Sequence, residues 1–183
     1  TPQNSNPWDD AVTLALEYSG IPYDELWDAE VLQGRLGEYD WLHLHHEDFT
    51  GQYSKFYIHY ANAAWLREAV QVNQTIASRF NFATVPDLKK AVAEEMRRYV
   101  AQGGFLFAMC TATETLELAM AAMGVDIANT FASGKPIDPD ANRKLQWDRT
   151  FAFRDAELQM NPGVNAFSDI DGHQVNTPWR QPL

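Results

Sequence analysis

The stretch Gly103-Gly104-Phe105-Leu106-Phe107-Ala108-Met109-Cys110-Thr111-Ala112-Thr113 holds the only cysteine of the chain and decides its reading. Up to Cys110 the residues form a continuous apolar run, the pattern of a strand buried on both faces. Beyond it Leu116, Met120 and Met123 recur at helical spacing. Cys110 therefore falls on a strand-to-helix turn. In a parallel α/β sheet that turn lies at the carboxyl edge, where ligands bind, and the helix directs free N–H groups and its positive end at the thiol. A thiolate would be stabilised there.

Tyr39 to His46 reads as a second strand, because Trp41, His43 and His45 alternate with Leu42, Leu44 and His46. Glu47 and Asp48 follow at its end. Thr84-Val85-Pro86-Asp87 is a variant capping box that opens a helix through Leu88, Val92, Met96 and Val100, ended by Gly103-Gly104. A further helix is expected from Ile58 to Phe80, and one from Asn6-Pro7-Trp8 to Gly20. Tyr23 to Trp27 and Thr150 to Leu158 are strand candidates. Gly124 to Asp140 reads as a surface loop with a short apolar element at Val125 to Phe131.

This order predicts an α/β fold: a mostly parallel sheet with helices on both faces. If the two clear strands are parallel neighbours, Cys110 faces His45, His46, Glu47 and Asp48. A single domain over 1–183, incomplete at both ends, is expected, since the chain opens on Thr1-Pro2 and closes on a loop-like Pro178-Trp179 tail.

The 14 basic residues are scattered and outnumbered by 25 acidic ones, for a formal charge of −11, which argues against nucleic acid as a partner. No run approaches the roughly 18 to 20 apolar residues of a membrane span. One cysteine cannot form an internal disulfide. No Gly-rich phosphate loop, Ser-centred elbow or zincin helix is present, and no cofactor is expected.

Two chemistries fit these residues. Cys110 can act as a nucleophile with His45, His46 or a histidine outside residues 1–183 as base and Glu47 or Asp48 orienting the imidazole, while Asp48, Thr111 and Glu114 face the substrate. Alternatively, His43 and His45 with a carboxylate can hold a metal. Against both stands the bland reading: Cys110 as a small buried hydrophobe, and the histidines as polar groups at a strand end. Glu114 and Glu117 fit the solvent side of the helix after Cys110, and the aromatic residues from Phe49 to Tyr60 fit packing.

The stretches Tyr39 to Gln52 and Gly103 to Cys110, with Trp8 to Val12, resemble uncharacterised bacterial proteins labelled "asparagine synthetase B". Their architecture is similar to the class I glutamine amidotransferase-like, flavodoxin-type fold. The resemblance runs to about Asp171. It implies Cys110 at a nucleophile elbow and an exported protein of the periplasm or cell surface. A small-molecule ligand and other protein chains are expected as partners, the latter to cover a missing sheet edge. Two departures stand out. Ala108-Met109-Cys110-Thr111-Ala112 replaces Gly-x-Cys-x-Gly, and His173-Gln174-Val175 stands where a His-x-Glu would complete the triad. The chain has neither an N-terminal cysteine nor an ATP-binding loop, so asparagine synthesis is not expected. The functions to separate are a cysteine-dependent amide or ester hydrolase, a non-catalytic subunit of a cell-envelope assembly, and a metal-dependent hydrolase.

Overall fold

A computed structural model describes residues 11–170. Eight α-helices and two strands are formed among them, besides short 3-10 turns: α1 (Ala11–Ser19), α2 (Asp28–Leu32), β1 (Trp41–Leu44), α3 (Tyr57–Tyr60), α4 (Ala64–Arg79), α5 (Val85–Ala101), β2 (Phe105–Ala108), α6 (Thr111–Ala121), α7 (Thr130–Ser133) and α8 (Ala141–Lys144). The helix start at Asn6-Pro7-Trp8, together with His173 and the final tail, lies outside the described residues.

The strands pair in parallel, Trp41 with Phe105 through Leu44 with Ala108. Their connection runs through α3, α4 and α5, as a parallel crossover requires. The Met109 N–H extends the ladder to the Leu44 carbonyl at 3.1 Å, so the two carboxyl ends finish side by side. The α/β character and the parallel pairing agree with the expectation from sequence. The extent of the sheet does not, because only two strands form among the described residues.

Among the described residues the helical cover is also one-sided. Leu42, Leu44, Leu106 and Ala108 pack into the core, whereas Trp41, Phe105 and Phe107 on the other face are 49%, 58% and 45% exposed. The apolar run before Cys110 is thus a strand with one buried face, and its outer aromatics stack edge to face across the pair.

The helix after Thr84 forms as expected, since the Thr84 hydroxyl accepts the Asp87 N–H at 3.2 Å and proline sits in the first turn. Val85, Leu88, Val92, Met96 and Tyr99 make its buried stripe. Several boundaries differ from the sequence reading. The helix from Ile58 to Phe80 is interrupted between α3 and α4, and 23–27 is an irregular segment leading into α2. Within 150–158 the only pairing is an isolated antiparallel bridge from Leu158 to Ser168. The 124–140 loop is not wholly at the surface, because Val125, Ile127 and Ala128 are buried.

α6 is the centre of the molecule. Leu116, Ala119 and Met120 belong to the core shared with α5 and the strands, while Leu118 and Ala122 belong to a second cluster with Val125, Ile127, Leu158 and Phe167. A helix apolar around most of its circumference must be buried on all sides. This one is buried from Glu114 through Ala121.

Candidate functional site

Cys110 sits at the N-cap of α6 with φ 55° and ψ −140°. Positive φ with strongly negative ψ brings Cβ against the backbone in any residue but glycine and costs roughly 1–3 kcal/mol. The surroundings impose it. The ladder ends at Met109, and the Thr113 N–H already bonds the Cys110 carbonyl at 3.1 Å, so the chain must turn from strand to helix within one residue. The side chain is consequently exposed, with Sγ 3.8 Å from the Thr111 hydroxyl. The reading of Cys110 as a buried hydrophobe is overturned.

Cys110 opens into a cavity of about 730 Å³. His46, Asp48, Thr111 and Glu114 line it with the thiol, as do Tyr53, Phe56, Trp65, Asn165 and Phe167. His45 and Glu47 instead line a neighbouring cleft of about 690 Å³. The sequence-derived cluster is therefore divided between two cavities, although the two imidazoles touch at a tilt of 32° with ring centroids 3.5 Å apart.

The carboxylates are engaged locally. Glu47 accepts the N–H of His45 at 2.6 Å, and its carbonyl accepts the Thr115 hydroxyl at 2.8 Å, which ties the histidine turn to α6. Buried Asp48 accepts from the N–H and hydroxyl of Thr50, at 2.8 and 2.5 Å, and from the N–H groups of Gln52 and Ser54, at 3.1 and 2.7 Å. Asp48 organises its own loop. Glu114 and Glu117 are both only 5% exposed, which corrects their assignment to the solvent face. Glu114 accepts the Ser168 hydroxyl at 2.6 Å, and Glu117 accepts the N–H groups of Phe151 and Ala152. Burial raises the Glu117 pKa, with those backbone donors pulling the other way.

The loop held by Asp48 is strained. Tyr53, Ser54 and Lys55 have φ of 54°, 53° and 59° in succession, the left-handed region that costs non-glycine residues roughly 1–2 kcal/mol each. This turn sends the Lys55 ammonium into the 157–169 segment, where it donates to the carbonyls of Gln159 and Val164, both at 3.3 Å, and of Ala166. Burial lowers its pKa to about 8, against the opposing pull of Glu114 and then Asp48. Tyr53 and Ser54 on one side, and Asn165 to Phe167 on the other, thereby become facing walls of the Cys110 cavity. Sequence reasoning missed this turn because no glycine marks it, and an isolated lysine between Ser54 and Phe56 reads as a surface residue.

Among the described residues no three His, Cys, Asp or Glu side chains converge in a group that could hold a metal ion. Nor is any described helix long and apolar enough to cross a membrane. No protein-family model, no curated protein and no solved structure matches this chain.

Proposed function

We propose that this chain is a cysteine-dependent acyl-transfer domain of class I glutamine amidotransferase-like type, related to the bacterial proteins labelled "asparagine synthetase B", that hydrolyses an amide or ester. The observation that carries this reading is the strained, exposed Cys110 at the start of α6, directly after a parallel strand and sharing a cavity with His46. Strain at a residue that reaches into a cavity is the signature of a positioned nucleophile.

In this reading His46 takes the Sγ proton and the thiolate attacks the substrate carbonyl. The oxyanion is met by the Thr111 N–H and the positive end of α6, whose first-turn donors have no intrahelical acceptor. The carbonyl-to-leaving-group bond then breaks as His46 returns the proton to the departing amine or alcohol. Water, deprotonated by His46, cleaves the thioester and restores the thiol.

A panel of amides and p-nitrophenyl esters tests this. Turnover that falls by at least about a hundredfold in both Cys110→Ala and His46→Gln supports it. Wild-type protein inert toward the whole panel, or a Cys110→Ala variant as active as wild type, overturns it.

A second reading, a non-catalytic subunit of a cell-envelope assembly, is favoured by the state of the carboxylates. Glu47 and Asp48 are committed to backbone and hydroxyl donors rather than to orienting His46. An inert wild type that co-purifies stoichiometrically with an envelope protein would select it. The family resemblance supports export to the periplasm or cell surface, which fractionation of cells producing the full-length protein tests.

A further inference from the structure

The thiol cavity and the neighbouring cleft share one wall: Trp65, Ala69 and Asn73, one residue per turn along α4, line both. The stripe spans about 12 Å, enough for three to four extended peptide residues. His46 faces one side of this junction and His45 the other.

The cleft on the His45 side combines an apolar floor with an acidic rim. Leu26, Val31, Leu42, Leu44, Ile76 and Met96 supply the floor. Around it stand the exposed carboxylates Asp24, Glu25, Asp40 and Glu68. Among the described residues Lys89 is the one lysine or arginine on its lining, and it is already bound to Asp28 at 2.5 Å. Among the described residues no lysine or arginine lines the thiol cavity, whose carboxylates are Asp48 and Glu114.

From this complementarity we propose that the site takes a peptide carrying both basic and apolar side chains, which lies along the α4 stripe with its apolar groups on the cleft floor and its cations at the rim. The proposal rests on the reading of Cys110 as nucleophile and adds the substrate class. The scissile amide lies at Cys110. Its C–N bond breaks, hydroxide from water ends on the acyl carbon and the proton on the released amine, so no co-reactant is needed.

Binding to Cys110→Ala protein separates recognition from catalysis. The probes are fluorescein-labelled octapeptides of alternating Lys/Leu, Glu/Leu, Ser/Leu and Lys/Ser, followed by anisotropy. The Lys/Leu peptide is expected to bind at least about tenfold more tightly than the other three, and to weaken as salt rises. Adding Glu25→Lys with Glu68→Lys weakens it about tenfold. Val72→Trp, at an exposed position on the cleft wall, does the same by filling it. Asp148→Lys, on the exposed turn after α8 and away from both cavities, leaves binding unchanged.

Equal binding of Ser/Leu or Glu/Leu peptide overturns the proposal, as does an Asp148→Lys variant weakened as much as the rim variant, which would reduce the effect to net charge. If Lys/Leu peptide binds as expected but wild-type protein does not cleave it, the nucleophile reading fails while the peptide specificity stands. Cys110-dependent turnover of amides regardless of their charge gives the opposite result.

Discussion

At the scale of single residues, two residues hold positions their types do not favour: Cys110 lines the thiol cavity, and Lys55 ties two of its walls together from behind. Cys110 carries a backbone conformation suited to glycine. Cys110→Gly should therefore raise stability by about 1 kcal/mol while removing the thiol, a trade of function against strain. Urea unfolding measures it, and a destabilised variant would show that the turn is not strained. Lys55 is the second. Its folded-state pKa, about 8, lies below the unfolded value of 10.5. The unfolded state then binds more protons between those values, so the contribution of Lys55 to stability is fully present above pH 10.5 and is lost as pH falls through 8. Wild-type stability relative to Lys55→Met should rise from pH 8 to 10. Parallel unfolding curves across that range would contradict the burial of its charge.

At the scale of elements, the site is held by short approaches between segments distant in sequence. Gly51 has φ +73°, and an added Cβ would lie 2.8 Å from the backbone nitrogen of Pro86 in the first turn of α5. Gly51→Ala must displace either the Asp48 loop or the start of that helix. A loss of about 2 kcal/mol or more is expected, with slower reaction of Cys110 with bulky maleimides as the cavity wall shifts. Unchanged stability and thiol accessibility would mean that the loop relaxes freely. Gly104 is constrained differently, because the Tyr99 ring occupies the place of its absent side chain. The hydroxyl of that tyrosine donates to the Tyr39 carbonyl at 3.1 Å, binding the end of α5 to the start of β1. The double glycine that reads as a helix stop is also a packing surface.

At the scale of the whole molecule, α6 couples the two apolar clusters, and Cys110 stands at its N-terminus. Leu118 is fully buried in the second cluster, one residue from Ala119 in the first. Leu118→Ala should cost about 3 kcal/mol and lower a single unfolding transition. Two separated transitions by circular dichroism and tryptophan fluorescence would show instead that the clusters unfold independently.

What sequence alone determined is local. The change from strand to helix at Cys110, the Thr84 cap, the buried stripe of α5 and the strand through His43 depend on propensity and periodicity within a few residues, and each forms where that pattern places it. The rest depends on tertiary structure. The strain at Cys110 arises from a ladder and a helix meeting there, and the allotment of His45 and His46 to different cavities is set by the bend that follows β1. Glu114, Glu117 and Lys55 carry charges that periodicity would assign to solvent. They are buried because hydroxyl, N–H and carbonyl partners, 34 to 111 residues away, replace water. Partners so distant leave no mark on the local pattern, and only the folded chain brings them together.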